Sequence, residues 1–167
     1  MPTTTMKPSS RRLRHAAGFA LLEALVAVVV ASVGFIGAAR LQTLGMKMNA
    51  SSQFRQKAVL LTYQMTDRIR ANQAGFTAGA YNNPSVGAMT CLSTGCTPAQ
   101  LAVADMTEWS NDVAGQLPNG SGVVCVDSTP PSPTAAPVCD GLGKLIVVQV
   151  AWTDTAGSGR FSTVVRP

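Results

Sequence analysis

Histidine is almost absent from this chain of 167 residues, since the only one is His15, close to the N-terminus. The rest of the chain therefore lacks the usual acid–base side chain and the Ser-His and Cys-His nucleophile systems. A glycine-rich phosphate loop of the P-loop type is also missing. These absences favour a structural subunit over an enzyme, and we expect no cofactor.

Charge is nearly absent from residues 19–39, in which Glu23 is the single ionisable group, and proline is absent from there to Tyr81. About 20 apolar residues rising 1.5 Å each span the roughly 30 Å hydrocarbon core of a bilayer. We therefore predict a membrane-spanning helix over residues 19–40. A carboxylate within it costs about 2.5–3.5 kcal/mol on insertion, which indicates a functional role with a partner cation unless interfacial water hydrates it.

Positive charge is concentrated before the apolar run, where four cations and no acid occur: Lys7, Arg11, Arg12 and Arg14. Of the 13 basic residues nine remain after Gly18, and they nearly balance the eight acidic residues. No basic patch suits nucleic acid, so we expect no nucleic-acid partner. Cations that flank a spanning helix stay cytoplasmic, which predicts export of the C-terminal part.

An ordinary cleaved signal peptide is the competing interpretation of the N-terminus. Its apolar region is usually about 7–15 residues long and is followed by a small-x-small cleavage site. The apolar run here is longer and contains Glu23, and its small residues around Ala31 form no clear site.

A helical period continues beyond Arg40. Leu41, Leu44 and Met48 recur at helical spacing. A second apolar run follows at steps of three or four within polar surroundings, namely Phe54, Ala58, Leu61, Met65 and Ile69. This pattern predicts an amphipathic helix over residues 41–74 that ends near Gln73, with Gly75 as its stop. Gly34 and Gly37 each weaken the helix by about 1 kcal/mol. We expect there either local melting or close packing of small residues between membrane helices.

Composition changes after Gly75, and we predict a head over residues 75–167 that begins with a long loop over residues 76–98. Thr97 and Pro98 predict the N-cap and first residue of a second helix, about residues 98–116. Its apolar face is Ala102, Met106, Trp109, Val113 and Leu117. An adjoining face carries three acidic residues, Asp105, Glu108 and Asp112. We interpret that trio as a solvated surface rather than a catalytic cluster.

Three strands follow a turn at Pro118, over residues 122–126, 144–152 and 160–165, and the middle one is richest in β-branched residues. They predict a small antiparallel sheet, and hence an α+β fold. Residues 154–159 predict a hairpin turn, because Asp154 lacks the further acidic ligands of a Ca²⁺ loop. Residues 129–137 contain four prolines and predict an irregular loop.

Four cysteines lie in the head: Cys91, Cys96, Cys125 and Cys139. In an exported region they indicate two disulfides, for which three connectivities exist. Zinc is the alternative, but the spacings are not C-x-x-C and the only histidine is in the leader, so no metal is expected. We favour the local pairing, Cys91 with Cys96 and Cys125 with Cys139.

The N-terminal motif resembles a known signal. A basic leader ends in Gly18, then come Phe19, a small residue, two leucines and Glu23, at the start of an apolar run. This is similar to the class III signal of type IV pilins and of type II secretion pseudopilins. The resemblance implies a pilin-like fold, cleavage of the leader, residues 1–18, by a prepilin peptidase, and methylation of the new Phe19 amine.

The resemblance also implies a role for Glu23, the family's near-universal carboxylate. Cleavage leaves a positive amine on Phe19 at membrane depth, and a buried charge is costly unless it is paired. In a stack of subunits the amine of one chain can meet Glu23 of its neighbour. Such a pair sets axial register.

Residues 65–72 and the glutamine-rich run before them resemble the PilV kind of minor pilin, the pilus modification protein. This implies assembly initiation at the pilus tip, with other minor pilins, the major pilin and a tip adhesin as partners. It also implies a single pass through the inner membrane, with a cytoplasmic leader and a periplasmic head that later becomes extracellular. A type II secretion pseudopilin and a membrane-anchored adhesive head remain alternatives.

Overall fold

The computed structural model describes residues 17–88, 91, 93–129 and 135–166. Residues 1–16 of the leader, with His15, and residues 130–134 of the proline-rich loop lie outside the described residues, as does the side chain of Phe19. The described elements confirm an α+β fold, in the order α1 (Ala17–Ala71), α2 (Gln73–Thr77), α3 (Pro98–Gln116), β1 (Ser121–Val126), β2 (Ile146–Asp154) and β3 (Gly157–Val165).

The chain divides into two compact units, Met1–Leu44 and Gly45–Pro167. In the first unit every described side chain, from Leu21 to Leu44, is exposed. An 18-residue window of α1 has a mean hydropathy of 2.3, and none of it is buried within the chain. By length and composition, α1 can therefore cross a membrane.

The helix is unbroken through Gly34 and Gly37. Local melting there, one of the two expectations, is absent from the single chain. A Cβ added at either glycine would meet nothing within 4 Å, so no neighbouring side chain forces a kink. Each glycine costs the helix about 1 kcal/mol relative to alanine. The helix nevertheless continues through both glycines and is 55 residues long. Close packing of these glycines between helices stays a prediction.

The end of α1 differs from the sequence prediction. The helix stops at Ala71, and Asn72 becomes the N-cap of α2 by accepting a hydrogen bond from the Gly75 backbone N–H at 3.1 Å. Gly75 is therefore a buried residue inside α2 rather than a helix stop. A Cβ on Gly75 would collide with the Asn72 side chain, which explains why glycine is needed there.

The three strands form one antiparallel sheet in the order β1-β2-β3. Val148 in the central strand pairs with Val124 on one side and with Thr163 on the other. The predicted hairpin is present but tighter, because Asp154 accepts hydrogen bonds from the backbone N–H groups of Ala156 and Gly157 and ends β2 there. β3 therefore starts at Gly157, three residues before the predicted Arg160.

The core of the second unit lies between the sheet, α3 and the second part of α1. Thr97 and Gln100 form a capping box at the start of α3, which confirms the predicted N-cap. The predicted apolar face of α3 is buried, and Trp109 donates from Nε1 to the Leu61 carbonyl at 2.8 Å. The apolar stripe of α1 contributes to this core only from Phe54 onward, because Leu41, Leu44 and Met48 are exposed.

Candidate functional site

Glu23 lies on the fully exposed part of α1, among apolar side chains. Among the described side chains it takes part in no salt bridge; those present involve Arg68 and Arg70. The Gly18–Phe19 bond lies within α1, whose described part begins at Ala17. Glu23 is thus five residues beyond Gly18 and lies on the same helix.

An isolated carboxylate in apolar surroundings is costly unless it meets a cation or is protonated. In water the exposed Glu23 is solvated at no cost. In a bilayer or a packed helix bundle it needs a positive group from outside the described residues.

A charged cluster joins the second part of α1 to α3. Arg68 Nη1 donates to Glu108 Oε2 at 2.6 Å and lies 3.6 Å from Asp105 Oδ1. Burial alone would lower the pKa of Arg68, but the hydrogen bond and the charges of Glu108 and Asp105 outweigh it, so that the pKa is raised. The same hydrogen bond and the charge of Arg68 hold the pKa of the Glu108 carboxyl below its usual value.

Asp105 corrects the interpretation of the acidic trio as a solvated surface. Its residue is 8% exposed, whereas Glu108 is exposed as expected. Asp105 Oδ2 accepts a hydrogen bond from the Tyr81 hydroxyl at 2.5 Å. Asp105 is buried because it faces the segment after α2, and helical spacing alone could not indicate which of three acids does so.

Tyr81 is one of the buried residues that the sequence analysis missed. It is fully buried, and its hydroxyl also accepts from Asn72 Nδ2 at 3.1 Å. Burial and the hydrogen bond to Asp105 raise its pKa. Asn72 Nδ2 also donates to the Pro98 carbonyl at 2.8 Å, so this network connects the end of α1 with the start of α3. The available signal was an aromatic residue among small and polar residues.

The cysteines are paired as the sequence analysis favoured, Cys91 with Cys96 and Cys125 with Cys139. All four are described and none is free. Asp127, which is 1% exposed, lies in the loop closed by the Cys125–Cys139 disulfide. Its carboxylate accepts hydrogen bonds from the backbone N–H groups of Thr129, Val138 and Cys139. These hydrogen bonds, the backbone N–H of Thr129 first, lower the pKa of Asp127.

Metal ligands do not cluster in the part of the chain that the structure describes, where no group of three or more candidate side chains occurs. A cavity of about 400 Å³ lies between α1 and the β2–β3 hairpin, and Arg55, Trp152 and Asp154 contribute to its lining. Asp154 Oδ2 is buried there and accepts no hydrogen bond from the described residues. A second cavity of about 310 Å³ is lined by Phe76, Lys144 and Ile146, among others.

No family model matches the chain, and no curated protein or solved structure matches it either. The functional interpretation therefore depends on the N-terminal motif and on the geometry of the described residues.

Proposed function

We propose that this protein is a minor pilin of a type IV pilus, of the PilV kind, which a prepilin peptidase cleaves and methylates. One observation carries the proposal: the Gly18-Phe19 junction and Glu23 lie in a helix whose apolar half contacts no other element among the described residues. A soluble domain would bury such a surface, whereas a subunit that moves from a membrane into a filament must keep it available.

The architecture supports the proposal. A long N-terminal helix continues from the apolar half into a second half that packs on a small antiparallel sheet. This is the arrangement expected of a type IV pilin-like fold. It gives the chain an anchor and a separately stabilised head on one continuous element.

Charge and redox chemistry support an exported head. The four leader cations favour a cytoplasmic N-terminus and hence a periplasmic head. Disulfides persist in the periplasm and outside the cell but are rare in the cytosol. All four cysteines of this head are in disulfides.

Glu23 is the residue through which the subunit would enter an assembly. Once the leader is removed, the Phe19 amine of one subunit and Glu23 of the next are opposite charges in apolar surroundings. The pair fixes the axial position of one helix against the other. The subunit acts at the pilus tip with other minor pilins, and it is a substrate of the peptidase rather than an enzyme.

Replacement of Glu23 tests this role. We expect Glu23→Ala to insert into the membrane and to be cleaved normally but to be lost from sheared filaments, because removing one partner of a buried pair costs about 3–5 kcal/mol. Glu23→Asp should recover little, since its carboxylate is one methylene shorter. Gln42→Ala, on an exposed position of the same helix, is the control. Wild-type recovery of Glu23→Ala with sheared filaments and minor-pilin partners would contradict the role.

A further inference from the structure

The second part of α1 has an unusual outer face. Ala58, Leu61 and Met65 turn inward and are buried. On the opposite side six exposed residues recur at alternating steps of three and four, and we call them the amide seam: Met46, Asn49, Gln53, Gln56, Leu60 and Tyr63.

The amide seam carries no charge over these six positions. The outer face of a solvated helix ordinarily carries charged side chains. Here the nearby cations, Lys47, Arg55 and Lys57, lie at positions outside the seam. The seam's apolar members are well exposed, Leu60 at 68% and Tyr63 at 52%. This uncharged face leaves the apolar area of Met46, Leu60 and Tyr63 open to a partner.

The spacing of the seam matches a two-stranded coiled coil. Alternating steps of three and four give the 3.5-residue period at which two helices keep one seam in contact along their length. Each Asn or Gln side chain both donates and accepts hydrogen bonds, so an amide can pair with the same amide of another chain. No like charges meet in such a contact.

A shared membrane sets the orientation of two such helices. Two chains anchored by the apolar half of α1 in one bilayer run parallel, so that each seam residue lies opposite its counterpart. Contacts rich in amides are weak in solution, but anchoring in one surface raises the effective concentration of the second chain. The contact is therefore expected between anchored chains rather than between heads in solution.

We propose that the amide seam is a contact surface for a second copy of this chain, in a parallel helix pair formed in the membrane. The inference needs only that α1 anchors the chain, and it does not depend on the proposed pilus function. It assigns Gln53 and Gln56 the role of fixing register between the two copies, as a buried amide does in coiled coils.

Single cysteines test the contact directly, because all four native cysteines are already in disulfides. The full chain carrying Gln56→Cys is reconstituted in phosphatidylcholine liposomes and oxidised with copper phenanthroline. We expect disulfide-linked dimers, whereas Asn111→Cys, an exposed position on α3, remains monomeric. Equal cross-linking at the two positions, or none at Gln56→Cys, would overturn the proposal.

Charge on the seam provides the second test. With Asn49→Cys as reporter, the pair Gln53→Glu and Gln56→Glu should lower the cross-linked fraction about tenfold, which equals about 1.4 kcal/mol, because like charges then face each other. Gln116→Glu, the same change at an exposed position on α3, should leave the fraction unchanged. An unaltered fraction in the seam variant, with insertion verified by flotation, would show that the copies meet through another surface.

Discussion

The two parts of α1 belong to one helix but are stabilised by different surroundings. From Leu21 to Leu44 every described residue is exposed, and apolar groups occur all around the helix. From Phe54 to Ile69 one stripe is buried against α3 and the sheet, with Ala58 and Met65 fully covered. The first part thus gains no burial from the described residues, whereas the second is stabilised by the chain itself.

Truncation of a large side chain should change the free energy of unfolding very differently in the head and in the exposed part of α1. Trp109→Ala should lower the free energy of unfolding of the second unit by about 3–5 kcal/mol, because it leaves a cavity and removes the hydrogen bond to Leu61. Leu25→Ala removes a side chain that is 66% exposed and should change it by less than about 0.5 kcal/mol. Thermal unfolding in detergent followed by circular dichroism measures both.

Equal effects of the two truncations would contradict the division of α1 into a dependent and a self-stabilised part. If Trp109→Ala does not fold, Trp109→Phe provides a milder comparison. Its loss should still exceed that of Leu25→Ala.

The two disulfides of the head provide a second test of how the second unit is stabilised. Replacing Cys125 and Cys139 by serine opens a loop with a sequence separation of 14. This should cost about 3 kcal/mol of unfolding free energy through the greater freedom of the unfolded chain. Replacing Cys91 and Cys96, whose separation is 5, should cost about 1 kcal/mol less. The same unfolding measurement tests the order, and a larger loss from the shorter loop would contradict it.

The sequence predicted those features of the head that are set by local chemistry. Thr97 and Pro98 carry the cap of α3 in their own side chains, and the β-branched run of β2 needs no distant partner to be recognised. The cysteine pairs are also local in sequence, and of the three possible connectivities the favoured local one is confirmed.

What the sequence could not predict depends on which of several possible contacts a side chain makes. Tyr81 is buried because Asn72 and Asp105 approach it from two helices, and the polar composition around it indicated only a loop. Gly75 lies inside a helix because the Asn72 side chain restarts the chain as α2. In each case the deciding contact is tertiary or belongs to a side chain with several local options.

A fall in pH should have the smallest effect on the free energy of unfolding, and this effect too is confined to the head. The pKa of Asp127 is lowered in the folded protein, so its contribution to stability is present above the unfolded value of about 3.9. That contribution is lost as the pH falls through the lower folded value. Asp127→Asn should therefore be less stable than the wild type at pH 6, with a smaller further loss below about pH 4. Parallel pH profiles of the two proteins in thermal unfolding would contradict this.

The intact mass of the mature protein tests the central claim most directly, because it reports what happens to the exposed part of α1 in the cell. The protein is isolated from a pilus-bearing host and measured without digestion. The proposal predicts a chain that begins at Phe19 and carries one methyl group on its N-terminal amine. A mass that retains residues 1–18, or a chain cleaved beyond Ala31, would contradict it.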